Sequence, residues 1–554
     1  MAKYSIGIDF GTLSARALVA DVANGRVIGS SETFEYPHGV MTELCEQKLP
    51  DSYALQHPDD YILALTTLIP TLMQKNSLSP DDVVGIGIDF TACTVLPLDK
   101  NGVPLCDHKE FERDPHAYAK LWKHGGANKY AERIEDIAKG YGDMLKITGG
   151  TLSGEFMIPK LYETFIESPK VYEATEKFIN AGDFVASLLC GRYVHSTSFA
   201  TIKEHCDNRN GAVYPPRKFY RELAEGFEDV LDKLGTELDS VGDSCGTLTD
   251  EWAERLGLST KTHVAVPIID AHGAFGVAGI DDGIAVAVLG TSAVMAVLSS
   301  KKRFVRGIHA AGYGATAKGL MTYEAGIRAM GDLYAWFVQN CVPAEYEREA
   351  AARGMNIHAY LRSLAEKKKV GQSGLIALDW WNGNRSVVPN DKLSGMILGL
   401  RLGSRPEDIY RALIESTVFE LRRVYENYTE SGIEIKSFVA TGGIAAKDPM
   451  LMQILSDVLG REVDCLTESN ATSLGVAVFG ATAAGVYDSL ESASAKMKLP
   501  IAKTYRPIPE NVDAYDKLYR RYVELYDYFA AGGSDVMNFL YDFKNNINSK
   551  EKTK

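Results

Sequence analysis

The sequence predicts an α/β protein made of two related domains, and three observations carry that expectation. The chain has 554 residues, too many for one compact core and suited to two large domains. Its opening, YSIGIDFGTLSARALVADV (4–22), reads as two short strands around a Gly-Thr turn. About half a chain later, IAVAVLGTSAVMAVLSS (284–300) repeats the plan, which points to a duplicated domain.

The elements follow in chain order. Tyr4–Ile8 is apolar and β-rich, Gly11–Ser14 is turn material, and Ala15–Val22 is apolar again. Gly85-Ile-Gly-Ile-Asp89-Phe-Thr-Ala-Cys-Thr94 is a third strand ending in small and polar residues, which leave room for a ligand. The run 284–298 is the longest apolar stretch. It is shorter than a bilayer span and has Gly290, Thr291 and Ser292 at its centre, so two buried strands joined by a turn explain it. Ser404-Arg-Pro-Glu407 reads as a capping box, followed by a core-facing stripe of Ile409, Leu413, Val418, Leu421 and Val424. Phe438–Thr441 looks like a strand end; Asp448 is a helix N-cap, Pro449 the first helical residue and Gly460 a left-handed stop. Gly442 and Gly443 then lie on a strand-to-helix loop where backbone can approach a ligand closely. The tail 544–554 is polar and expected to fray. The repeat alone sets the expected domains at 1–280 and 281–540, with a polar tail at 541–554.

Composition excludes several classes. Hydrophobic residues make up 45% and charged residues 24%, as in an ordinary globular enzyme. A formal net charge of −14 repels phosphate backbones, so nucleic acid is not expected as a partner. The eight cysteines form no C-x-x-C pair, which suits reduced thiols and a cytoplasmic protein. The N-terminus lacks the pattern of a secretory signal, and no membrane partner is expected. There is no Walker-type G-x-x-x-x-G-K-[ST] loop and no ordered protein-kinase motif set.

Two groups of residues could carry chemistry. In Asp9-Phe-Gly-Thr-Leu-Ser-Ala-Arg16, Gly11 permits a tight turn whose N–H can face an anion, and Thr12 and Ser14 add hydroxyl donors. Arg16 adds a cationic fork suited to a terminal phosphate, and Asp9 could hold Mg²⁺ directly or through water. A hairpin turn with a capping Asp is the plain alternative. Paired with Leu289-Gly-Thr-Ser292, the motif reads better as one of two donor loops clamping a triphosphate. Asp270 ends the apolar strand in VAVPIIDAHGAFGVAG, where a carboxylate can act as general base or cap a helix. His272 reads as a packed, hydrogen-bonded histidine and Cys93 as packing. Glu324 and Lys203 are candidates for sugar hydroxyls, although most Glu and Lys are simply solvated.

Together DFGT…R at the start, the segment around Asp270, LGTS at 289–292 and TGGIAAKDPM…SDVLG near the end resemble the FGGY carbohydrate kinases, in order and spacing over nearly the whole chain. Within that family GIDFTACT (87–94), KLWKHGGA (120–127), EAG (324–326) and DWWNGNR (379–385) look most like members that phosphorylate L-ribulose. The resemblance implies two ribonuclease-H-like domains of the actin/hexokinase type around a hinged cleft. It also implies ATP with Mg²⁺, and transfer of the γ-phosphoryl group to the 5-hydroxyl of ribulose. In it Asp270 matches the catalytic base and Asp9 the acid near the metal. Gly11, Thr12, Ser14 and Arg16 match the first phosphate loop, Gly290, Thr291 and Ser292 the second, and Gly442 and Gly443 the adenosine loop. Ala92, Lys203, Asp270 and Glu324 match the sugar pocket. The chain departs from the common EAGQSA pattern with Ile327 and Arg328, beside the pocket where sugar preference is set. A homodimer is common among such kinases. Another sugar or polyol (D-ribulose, xylulose, ribitol) is the near alternative, and a nucleotide-switched binding protein related to actin or the Hsp70-type chaperones the remote one.

Overall fold

The computed structural model describes residues 2–466 and 470–552, with side chains of the last helix described up to Ile547. The two Gly-Thr segments are antiparallel hairpins, Tyr4–Phe10 with Ser14–Asp21 and Ile284–Leu289 with Ala293–Ser299. Each hairpin's first strand has a parallel partner on its other side: Val83–Phe90 in the first case, Ser437–Thr441 in the second. Each sheet continues through a second parallel strand, His263–Ala265 or Val463–Leu466. The far side of each hairpin carries an antiparallel strand, Val27–Ser30 or Met321–Ile327. The two large sheets thus share one strand order, built twice. The strand interiors are buried and rich in Val, Ile and Ala, as expected for sheets covered on both faces.

The helix signals fall close to their expected places. Pro449–Leu459 is capped by the Asp448 side chain, which accepts from the Leu451 N–H at 2.9 Å, and it stops at Gly460 with φ +62°. The helix Pro406–Glu430 buries Leu413, Val418, Leu421 and Val424. Its cap differs from the capping box expected at Ser404: the Arg405 N–H donates to Asp408 Oδ2 at 2.9 Å, and Ser404 Oγ instead accepts from the Arg401 N–H. The fraying expected at 544–554 is corrected up to Lys552; residues 553–554 lie outside the described residues. The helix Val536–Lys552 runs through the tail, anchored by buried Met537 and by the ion pair of Lys392 with Asp542 at 2.9 Å.

One element crosses between the halves. The helix Ala471–Ala483 lies in sequence between two strands of the second sheet, Val463–Leu466 and Ile501–Tyr505, yet it packs on the first sheet and on the short helix after Asp270. Its backbone comes so close that a Cβ on Gly7 would lie 1.8 Å from Ser473 O, and one on Gly87 1.7 Å from Val476 O. Gly475 is pressed the same way against Gly273 O, at 1.9 Å. Glycine is needed at these points because any side chain would separate helix from strand. Among the described residues no helix is long and apolar enough to cross a membrane.

Candidate active site

Two cavities meet between the sheets. The smaller, about 100 Å³, includes Ala92, Lys203, Asp270, Ser292 and Glu324 in its lining. The larger, about 670 Å³, includes Thr12, Thr291 and Ser292, and its size is ordinary for a small-molecule site. Trp122, Glu155, Ser292 and Arg385 line both, so the two share a wall.

The hairpin turns are built alike. Gly11 N–H donates to Ser14 O at 2.9 Å, and Gly290 N–H to Ser292 O at 2.9 Å. The first turn is braced from outside: Gln56 Nε2 donates to Thr12 O at 2.7 Å, and Trp122 Nε1 to Thr12 Oγ1 at 3.1 Å. The second is braced by the Met330 N–H on Thr291 O at 2.8 Å and the Gly331 N–H on Gly290 O at 3.0 Å. Gly442, at φ +98°, turns the chain beside this second hairpin, where a Cβ would lie 2.5 Å from Leu289 O. Gly443 starts the following short helix with open space where a side chain would stand. Both glycines adjoin the second turn without lining either cavity.

Asp270 sits where the short strand Ile268–Ile269 meets a helical turn, and its Oδ1 accepts from the Ala271 N–H at 2.7 Å. It is therefore a cavity wall but not the helix cap the sequence allowed: Ile269 holds the N-cap position, and Asp270 is the first helical residue. Burial, then the nearby Asp9 carboxylate, push its carboxyl up to about 7. A carboxylate tuned to neutrality in a cleft is suited to taking a proton.

Asp9 is mostly buried, 3.2 Å from Arg16 Nε and 3.3 Å from Thr472 Oγ1. Arg16 therefore faces Asp9, with Asn470 Oδ1 3.4 Å from its Nη1. Beside Asp9 on the parallel strand is Asp89, fully buried, neither of whose oxygens finds a donor among the described residues. Burial and the facing Asp9 carboxylate push Asp89 well up. An all-oxygen set with unsatisfied lone pairs is the chemistry a hard divalent cation seeks, so Asp9 and Asp89 fit Mg²⁺.

The sugar-side residues converge from both halves. Lys203 ends the buried helix Thr197–Lys203, and Glu324 lies in the strand Met321–Ile327. His272 Nε2 is 2.9 Å from Glu324 Oε2, which makes His272 the hydrogen-bonded histidine expected. Burial alone would raise Glu324, but the His272 bond and Lys203 hold it well below the usual carboxylate range. Burial lowers Lys203, with Glu324 opposing the shift.

Sequence reasoning missed Asp89, Trp122, Glu155, His309 and Arg385. Asp89 had a signal: GIGIDF repeats the GIDF of the first strand. Trp122, Glu155 and Arg385 reach the cavities through long-range packing, and His309 lies against Lys203 and Arg385 without lining either cavity. The departure at Ile327 and Arg328 is also resolved: Ile327 is buried and Arg328 lines the larger cavity, not the smaller one.

A duplicated sheet around a cleft, with paired hydroxyl-bearing turns and a carboxyl tuned to neutrality, defines a phosphotransferase of the two-domain sugar-kinase kind. Family models for the N-terminal and C-terminal domains of the FGGY family of carbohydrate kinases match residues 4–276 and 285–484. The chain is 40% identical over 552 residues to a ribulokinase of Halalkalibacterium halodurans, covering 98% of each chain. It is 41% identical over 556 residues to a ribulokinase of Mycolicibacterium smegmatis, covering 99% of this chain and 98% of the other. Among solved structures, a gluconate kinase from Lactobacillus acidophilus superposes with TM-score 0.78 at 18% identity, covering 96% of this chain and 99% of that one. A xylulose kinase from the same organism gives 0.77 at 18% identity with the same coverage. The chain belongs to the FGGY family of carbohydrate kinases.

Proposed function

We propose that this kinase transfers the γ-phosphoryl group of ATP to the 5-hydroxyl of a pentulose, L-ribulose. The observation that carries the reading is the position of Asp270: it lines the small cavity with Lys203 and Glu324, directly beside the space that the two hairpin turns face. The names of the full-length relatives support ribulose as the sugar.

In this reading the sugar occupies the small cavity, between Ala92 and Asp270, with Lys203 and Glu324 on its hydroxyls. ATP lies in the larger one. Thr12 and Ser14 of the first turn, whose Gly11 N–H is already spent on Ser14 O, face one end of the triphosphate; Thr291 and Ser292 face the other, with Gly442 and Gly443 toward the adenosine. Asp270 accepts the proton of the attacking hydroxyl as the new P–O bond forms. Mg²⁺, held by Asp9 and Asp89, would supply charge neutralisation for the phosphates. Arg16, paired with Asp9 at 3.2 Å, is the cation that would turn to the terminal phosphate. Closure of the two halves, divided near residue 280, excludes water that would otherwise take the phosphoryl group.

An ADP-release assay over L-ribulose, D-ribulose, xylulose and ribitol tests this. ATP consumption is expected to rise sharply with L-ribulose and stay low without sugar. Sugar-independent turnover, or a response to none of the four, would sink the reading.

A further inference from the structure

The small cavity holds a charged pair drawn from the two halves of the chain. Glu155 precedes the helix Met157–Glu167 on one side, and Arg385 comes from the other. Arg385 Nη2 is 3.3 Å from Glu155 Oε2. The same guanidinium lies 3.2 Å from each ring nitrogen of His309, Nε from Nδ1 and Nη2 from Nε2, and donates to whichever of the two carries no proton. His309 is in turn stacked on Phe156, with centroids 5.3 Å apart and planes at 20°, and its Nε2 contacts the Lys203 ammonium. Glu155 also faces Arg328, at 3.7 Å from its Oε1. Arg385 is therefore held at its Glu155 and His309 edges and is only 12% exposed.

A guanidinium only donates hydrogen bonds, and so does an ammonium. Lys203 and Arg385 flank the buried neutral His309, and burial, then Arg385 and Lys203, drive that imidazole well below its usual range. The corner of the cavity that these cations line thus offers donors, while the Glu155 oxygens are engaged by Arg385 and Arg328. A sugar hydroxyl placed against Arg385 could accept from it but would still have a proton to place, for which the remaining acceptor at this corner of the lining is Glu324. A ketone oxygen brings none, and accepts what the corner offers.

Resting on the pentulose reading above, we propose that Arg385, fixed in place by Glu155 and His309, binds the ketone oxygen of the sugar and so makes the enzyme prefer a ketose to the corresponding polyol. Glu155 is a positioning residue that acts through Arg385. The test compares kcat and KM for L-ribulose and ribitol in the full-length wild type, Arg385→Gln, Arg385→Lys and Glu155→Gln, with thermal melts as a folding control. Wild type is expected to favour L-ribulose. Arg385→Gln should shrink the ketose-to-polyol ratio of kcat/KM by roughly 10–100-fold, the worth of a hydrogen bond to a charged group. Arg385→Lys should keep part of the preference. Glu155→Gln should shrink it by raising the KM for L-ribulose more than the KM for ribitol.

Equal loss on both substrates in Arg385→Gln, or an unchanged ratio, would overturn the proposal, as would equal wild-type use of the two sugars. If Arg385→Gln does not fold, an unchanged ratio in both Glu155→Gln and Arg385→Lys overturns it. A wild type inactive on both substrates refutes the pentulose reading instead, so the two failures are distinguishable.

Discussion

Asp9 and Asp89 are register partners on adjacent parallel strands, so their two carboxylates leave the same face of the first sheet at one level. Asp9 is balanced by Arg16 and Thr472, whereas Asp89 has no donor among the described residues. Burial and Asp9 favour the neutral form of Asp89 in the resting protein, so its replacement by Asn costs little there, and in the proposed reading it takes a ligand from the cation. Asp89→Asn should melt no lower than wild type without Mg²⁺, and should need several-fold more Mg²⁺ for half-maximal rate. Chelation by EDTA should abolish turnover in both. Thermal melts and a Mg²⁺ titration of the rate check this; a variant with lower melting temperature and unchanged Mg²⁺ demand speaks against it.

The tuning of Asp270 sets an acid limb on the rate. Burial first, then Asp9, raise its carboxyl to about 7, and only the deprotonated form accepts a proton. The profile of kcat/KM, which reports the free enzyme, should fall as pH drops through that value, approaching tenfold per pH unit. A limb near the ordinary carboxylate range would place the base elsewhere.

The mirrored turns should act on ATP and not on sugar. Thr12→Val removes a hydroxyl that also receives Trp122 Nε1, and Thr291→Val removes its counterpart. Each should raise the ATP KM or lower kcat, with the sugar KM within a few-fold of wild type for Thr291→Val. Unchanged ATP kinetics in both variants would end the clamp model.

Two glycines near the cleft should behave oppositely. A Cβ on Gly475 would sit 1.9 Å from the Gly273 carbonyl oxygen, and backbone on both sides cannot yield easily. Gly475→Ala should cost at least about 3 kcal/mol, the upper end for overpacking, and lower the melting temperature sharply. Gly443→Ala meets open space and should melt like wild type. Equal melting of the two variants would mean that the helix Ala471–Ala483 does not lie on the first sheet as described.

What was legible in the sequence was mostly local. The Gly-Thr turns could be read because period-two apolar runs flank them, and Asp448-Pro449 because a cap and a first-turn proline act within a few residues. Asp270 stood out as an acid at the end of an apolar strand. Long-range features were not legible. The helix Ala471–Ala483 is apolar on all sides and carries no amphipathic signature of what it covers, so its return to the first sheet shows only in the contacts of Gly7 and Gly87. Glu155 and Arg385 are 230 residues apart, and nothing local marks an ion pair at that separation. The tail misled because its last residues are polar, while the anchor of its helix, Met537, lies upstream of them.

The most direct test of the account is Asp270→Asn, assayed for turnover and for L-ribulose binding on the same preparation. Removing a general base is worth about 10²–10⁴-fold, so kcat should fall by at least that range while calorimetry still records the sugar bound. Turnover close to wild type in a folded variant would contradict the claim that Asp270 takes the proton.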